Sequence, residues 1–337
     1  VPETLADLGE WELIRRLGAF APPGQFADDA ALVEEAGPGR LVLNTDLLVE
    51  GVHFSEVTTT PADVGWRAAA ANLSDLAAMG CTKGVGISVG LVAPSSTPWT
   101  WVEGVYGGLK EALEAFGGVL LGGDCSSGGQ RILAVTAIGQ LPAPLDAGRG
   151  AWGAIRRGDG HPGDALLCTG PHGLSRLGLA LLQGERAGLP ADLAQRAIRA
   201  HRRPLPRFDA VRALIGSRPE RLPWRVGGCD SSDGLVAAVA AIAGTSGCSA
   251  RLERQALPCD PAMAALPEAE AWCLGGGEDF ELVLALEPAW ANALVEALPG
   301  ASLIGQLKAG EAGTLAWSDG SPWPGASSGS GGFQHFG

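Results

Sequence analysis

Three stretches in the first half of the chain, residues 40–45, 84–91 and 132–138, alternate apolar with small or polar positions, the period-two pattern of strands that bury one face. Between them the period lengthens. Residues 61–79 and 99–116 repeat their apolar positions at helical spacing, and alanines at 68–71, 77 and 78 would let the first of these helices lie close to a sheet. Residues 141–163 are rich in Pro and Gly, interrupted only around Trp152, and a new strand is expected from Asp164. Beyond that point the pattern predicts a strand over 165–169, a helix over 192–201 and a strand passing into a helix over 225–243. A strand over 280–286 and a helix over 287–298 follow. Residues 318–332 are Ser-, Gly- and Pro-rich and predict no regular structure, although Phe333, His335 and Phe336 come directly after them. Strands and helices are mixed in both halves, so the expected fold class is α/β (mixed α+β) with two domains, 1–145 and 146–337.

Length agrees with that division, because 337 residues exceed what one core usually serves. Hydrophobic residues make up 46% and charged residues 18%, which suits a globular protein and is far from disorder. The longest apolar run, 235–243, is too short for a bilayer of about 30 Å, and no charged-then-apolar leader pattern is seen. Seven cysteines form no CxxC pair and leave an odd count, so reduced thiols in a cytoplasmic protein are expected. A formal charge of −13 disfavours binding to nucleic acid or to a membrane surface, both of which attract basic patches. Anionic ligands remain compatible with it, provided that cations accompany them.

The acidic residues show where such cations could sit. Asp28-Asp29, Asn44-Thr45-Asp46, Asn72-Leu73-Ser74-Asp75, Gly122-Gly123-Asp124 and Asp230-Ser231-Ser232-Asp233-Gly234 each place an Asp where an apolar run breaks. Singly, each reads as a turn or a helix cap. Together, most of them follow a strand or helix able to aim a side chain rigidly, and Asn72 and Asp75 share one helix face. Converging carboxylates repel one another unless they take up protons or a cation. The donors are all oxygens, which fits a hard ion such as Mg²⁺ and not Zn²⁺; Ca²⁺ is chemically compatible, but no EF-hand loop is present.

Anion-binding features lie beside these acids. Ser232 and the free N–H groups of the helix expected after Gly234 could hold a phosphate, and Gly122-Gly123 permits close approach of a ligand to the backbone. Arg156 and Arg157 could pair with phosphate or simply be solvated. There is no GxxxxGK[ST] loop, no HRD, and Asp279-Phe280-Glu281 is not DFG, so P-loop and protein-kinase sites are excluded.

The ordered set of Asn44-Thr45-Asp46 with Gly51-Val52-His53-Phe54, residues 72–80 (NLSDLAAMG), Gly122-Gly123-Asp124, Ser232-Asp233-Gly234-Leu235 and residues 276–282 (GGEDFEL) resembles the thiamine-monophosphate kinases. These belong to the superfamily of aminoimidazole-ribonucleotide synthetase and selenophosphate synthetase, and the likeness runs from about Gly9 to Phe336. The resemblance implies an aminoimidazole-ribonucleotide synthetase-like fold, N-terminal domains pairing in a homodimer, and an active site in the cleft between domains. It also implies several Mg²⁺ ions held by Asp29, Asn44, Thr45, Asp46, Asp75, Asp124, Asp230 and Asp233. ATP would meet Tyr106, Gly123, Asp124, Arg157 and Ser232, and thiamine phosphate would meet His53, Glu278 and Phe333. Two departures stand out: Ala27 precedes Asp28-Asp29 where the family has Gly, and Cys125-Ser126-Ser127-Gly128 replaces a common Thr-Thr-Arg-Gly.

Such a reaction needs no catalytic side chain, because the acceptor oxygen of a phosphate monoester is already largely ionised near pH 7. It needs two mutually repelling anions aligned and their charge neutralised. Selenophosphate synthetase would bring a reactive Cys between Gly9 and Asp29, and none is there. An amide- or carbonyl-activating member of the superfamily, or a catalytically silent nucleotide- or metal-binding protein, is the competing reading.

Overall fold

The computed structural model describes residues 28–33, 39–142, 152–321 and 323, together with Glu12 and Arg15. Ala27, Phe333, His335 and Phe336 lie outside the described residues. The first half builds a five-stranded sheet from β1 (Ala31–Val33), β2 (Gly39–Val49), β3 (Gly84–Ala93), β4 (Val119–Ser127) and β5 (Ile132–Pro142), in the order β1-β2-β5-β3-β4. All its pairings are antiparallel except β3 with β4. Helix α1 (Pro61–Ala78) lies across β2 and β5, and α2 (Trp99–Phe116) packs on α1.

Helix α1 starts where the chemistry of its first turn requires. Thr60 accepts a hydrogen bond from the N–H of Asp63 and the Asp63 carboxylate answers the N–H of Thr60, with Pro61 at the first helical position. Its alanines 68–70, 77 and 78 are buried against the sheet, as the small-residue run predicted. The contact with α2 is closer still. A Cβ on Gly65 would stand 1.9 Å from the carbonyl oxygen of Val105, and one on Gly108 1.8 Å from that of Ala62.

Two elements of this half differ from expectation. β2 does not end at Thr45 but pairs with β5 along its whole length, from Gly39 opposite Pro142 to Val49 opposite Ile132. Asn44 and Asp46 interrupt the apolar pattern because they occupy the covered face of a continuing strand, among Val42 and Leu48. The segment around Gly122-Gly123-Asp124 is also a strand, not a turn. Gly123 is demanded by the neighbouring strand, since a Cβ there would meet the Val89 carbonyl oxygen at 1.9 Å.

The second half forms a six-stranded sheet in the order β11-β8-β10-β6-β9-β7. Its strands are β6 (Ala165–Cys168), β7 (Gly227–Asp230), β8 (Ser249–Leu252), β9 (Leu282–Leu286), β10 (Ser302–Lys308) and β11 (Leu315–Trp317). Around it stand α3 (Leu174–Leu182), α4 (Ala191–Arg202), α5 (Phe208–Ser217), α6 (Leu235–Thr245), α7 (Ala269–Gly275) and α8 (Pro288–Ala297). The largest buried apolar cluster runs through both halves, joining Leu73, Leu76 and Val135 to Val211, Leu214, Leu284 and Trp290. Among the described residues no helix is long and apolar enough to cross a membrane.

Gly108→Ala should overpack the α1–α2 contact and destabilise the fold by about 2 kcal/mol. Urea unfolding measures this directly, and an unshifted midpoint would mean that the two helices can part without cost.

Candidate active site

Four elements bring four carboxylates to the junction of the halves. Asp29 precedes β1, Asp46 stands on the covered face of β2, Asp75 is in the last turn of α1, and Asp230 ends β7. One oxygen from each of Asp29, Asp75 and Asp230 lies within 4.8 Å of the others. Burial is the main reason that these acids resist ionisation. It pushes Asp29 up to about 7, helped by Asp230 and Asp28 and opposed by Arg157. Asp46 rises to about 6 through burial and then repulsion from Asp230 and Asp233. Asp75 is driven well above the carboxylate range by burial and by the charges of Asp46, Asp230 and Asp29.

The side chains around the acids hold them in place but do not neutralise them all. Asn44 donates from Nδ2 to Asp75 Oδ2 at 2.6 Å and to Asn72 Oδ1 at 3.2 Å, while Asn72 is itself anchored on the Ala68 carbonyl at 2.8 Å. Ser74 donates to Asp230 Oδ2 at 2.6 Å, tying α1 to β7 across the junction. The Arg157 guanidinium pairs with Asp29 and its backbone N–H donates to Asp28 at 2.9 Å. Asp29 Oδ2 and Asn44 Oδ1 are buried without a hydrogen-bond partner. Orphaned buried oxygens beside three converging carboxylates fit a hard cation, which would supply the partners that the protein omits.

The other residues singled out in the sequence divide into three groups. Thr45 points its side chain to the opposite face of the sheet, where Oγ1 meets Thr136 Oγ1 at 2.8 Å, so its hydroxyl is not with the acids. Gly123 and Asp124 lie on the exposed edge strand β4. Through the register Asp124–Gly90–Ala134–Leu47, Asp124 is three strand spacings from β2, about 14 Å. It cannot share one ion with Asp46 in this arrangement. Tyr106, half-buried on α2, accompanies the β4 residues: its phenol is raised first by burial and then by the charge of nearby Cys125.

Ser232 and Asp233 occupy the turn between β7 and α6, and α6 begins at Gly234 (φ 103°) with no side-chain cap on its first N–H groups. His172, neutral because burial pulls it down to about 4, touches Ser231 Oγ through Nε2 at 2.9 Å and fixes this turn from behind. Glu278 comes far along the chain from this turn, yet its backbone N–H donates to the Ser232 carbonyl at 2.6 Å. Only its carboxylate turns away, towards Arg67 and His201. His53, whose Nδ1 accepts from the Val49 N–H at 3.0 Å, joins the same group, because Arg67 also reaches the His53 carbonyl at 3.4 Å. Arg67 and His201 escaped the sequence reading. The available signal was that Arg67 is the one charged residue between Asp63 and Asp75 in an Ala-rich helix.

Known proteins share this organisation. Residues 27–141 match the N-terminal domain of AIR synthase related proteins, and residues 161–318 match the C-terminal domain. The thiamine-monophosphate kinase of Prochlorococcus marinus is 46% identical, covering 94% of this chain and 93% of its own length. That of Synechococcus elongatus is 46% identical over 90% of each. Among solved structures, AaThiL complexed with AMPPCP and TMP is 27% identical, covers 99% of both chains and superposes with a TM-score of 0.82. Hydrogenase maturation protein HypE from E. coli, at 21% identity and a TM-score of 0.65, shares the fold. On this evidence the chain belongs to the thiamine-monophosphate kinase family of AIR synthase-related proteins.

Proposed function

We propose that the chain transfers the γ-phosphoryl group of ATP directly to thiamine monophosphate, giving thiamine diphosphate, at the acidic centre between its halves. The observation that carries this reading is the buried carboxylate cluster with its orphaned oxygens, in a chain whose relatives bear that name. Asp29, Asn44, Asp46, Asp75 and Asp230 would hold Mg²⁺ in the buried centre, with Asp233 beside them and Thr45 contributing through its backbone. Asp124 would hold a further ion from β4. Mg²⁺ bound there offsets the charge of the carboxylates and of the phosphates that come to lie against them.

The chain's own groups bind and align. Tyr106, Gly123 and Asp124 would receive the nucleotide; Arg157 already neutralises Asp29, and Ser232 with the open N-terminus of α6 would receive phosphate oxygens. His53, Glu278 and Phe333 would face thiamine phosphate. No base is assigned, because the attacking oxygen is already an anion. No nucleophile is assigned either, and transfer is in line between the two substrates.

The exposed apolar side chains of Leu43, Leu47, Val119 and Leu121 leave the sheet face opposite α1 uncovered, which supports a homodimer formed through the first half. A division into domains 1–145 and 146–337, and a cytoplasmic location, in keeping with the free thiols of all seven cysteines, complete the proposal.

Incubation with ATP, Mg²⁺ and thiamine monophosphate should yield thiamine diphosphate; absence of product from the folded protein refutes the reading. Asp46→Asn and Asp75→Asn should each lower turnover at least about 100-fold, or roughly 2.7 kcal/mol of barrier, while full turnover in both would remove the metal centre from the mechanism. With ATP made chiral at the γ-phosphorus, the configuration should invert, whereas net retention would require a phosphoenzyme. Leu47→Glu should shift the sedimentation coefficient from dimer to monomer, and a native chain that sediments as a monomer would discard the pairing.

A further inference from the structure

The acceptor side of the site converges on one guanidinium. Arg67 leaves α1 with only 5% of its side chain exposed, and its two terminal nitrogens reach three separate segments. Nη1 donates to the His201 carbonyl at the end of α4, and Nη2 pairs with the Glu278 carboxylate and also reaches the His53 carbonyl. The second Glu278 oxygen faces His201 Nδ1 at 3.5 Å, and that nitrogen also lies 3.3 Å from Ser175 Oγ. Glu278 keeps 34% of its side chain open to solvent, so the carboxylate is held from behind and presented in front.

The backbone beneath this carboxylate is fixed in an uncommon conformation. Gly277, Glu278 and Phe280 all have positive φ, at 68°, 56° and 53°, and two of them are not glycine. Neighbouring contacts impose it: the Glu278 N–H is held by Ser232, and the Asp279 carboxylate accepts from the N–H groups of Gly173 at 2.7 Å and Ser175 at 3.1 Å. The loop therefore sets where Glu278 starts, and Arg67 sets where its charge ends. A guanidinium is suited to this task because it stays charged when buried and its planar fork can serve several acceptors at once.

We propose that Arg67 is the positioning residue of the acceptor site: by gripping Glu278 and the His53 backbone together from α1, it keeps the Glu278 carboxylate aimed at the amine-bearing ring of thiamine phosphate. This rests on the reading that Glu278 and His53 face that substrate. Arg67 belongs to the half that carries Asp46 and Asp75, and Glu278 to the other. Recognition of the acceptor is thus tied to the same docking of halves that assembles the acidic centre.

The test is a double-mutant cycle read as Michaelis constants for each substrate. Arg67→Gln should raise KM for thiamine monophosphate about tenfold or more, the usual scale for losing a charged hydrogen bond, with KM for ATP within about twofold. Arg67→Lys, which keeps the charge without the fork, should recover part of the loss. In a Glu278→Gln background, Arg67→Gln should add little, because the group through which it acts is already disabled. If Glu278→Gln raises this KM while Arg67→Gln does not, or if the two losses simply add, Arg67 is no more than a strut and the proposal fails alone. If Glu278→Gln itself leaves KM for thiamine monophosphate unchanged, the assignment of Glu278 fails and takes the proposal with it. Should Arg67→Gln not fold, Arg67→Lys is carried through the same cycle, with the same outcomes deciding.

Discussion

Mutual repulsion among buried carboxylates is the constraint around which this molecule is organised. Asp29, Asp46, Asp75 and Asp230 are withdrawn from water at one point, where burial makes the ionisation of each harder and the charge of neighbouring acids adds to this at the first three. Arg157 compensates one of them, and Ser74 and Asn44 provide hydrogen bonds without charge. Folding alone would not gather such a set. The arrangement persists because rigid elements from both halves deliver the side chains and because apolar packing, running unbroken between those halves, outweighs the local cost.

Helix α1 is the element that translates this constraint into a site. Its last turns supply Asn72, Ser74 and Asp75 to the acidic centre, while a guanidinium two turns earlier reaches the acceptor side. A helix with two such tasks must not shift along its axis. The capping box at Thr60, the buried alanines against the sheet and the glycine contacts with α2 together fix its register. The chemistry then depends on small residues that never touch a substrate.

Much of this could be read from the chain, and the failures have physical causes. The main strands and the helices over 61–78, 99–116, 191–202 and 288–297 follow hydrophobic periodicity, which packing enforces. β2 runs further than the apolar pattern implies because Asn44 and Asp46 look like a break, although a polar residue on a covered face is what a buried site requires. β4 was missed because Gly-Gly-Asp is turn chemistry by composition, whereas here the glycine serves close strand pairing. The acidic residues were legible through their positions at element ends. The pairing of Arg67 with Glu278 was not, since its partners are 211 residues apart and only the tertiary fold brings them together.

The hydrogen bond from Ser74 to Asp230 has a consequence for how such chains can vary. Donor and acceptor come from different halves, and the same is true of Arg157 with Asp29. Neither half therefore contains a complete centre, and a substitution on one side is judged by what stands opposite it. A chimera that takes its first half from one relative and its second from another inherits an active centre only if the two parents agree at these crossing contacts. The halves are separate in architecture, but in descent they must travel as a matched pair.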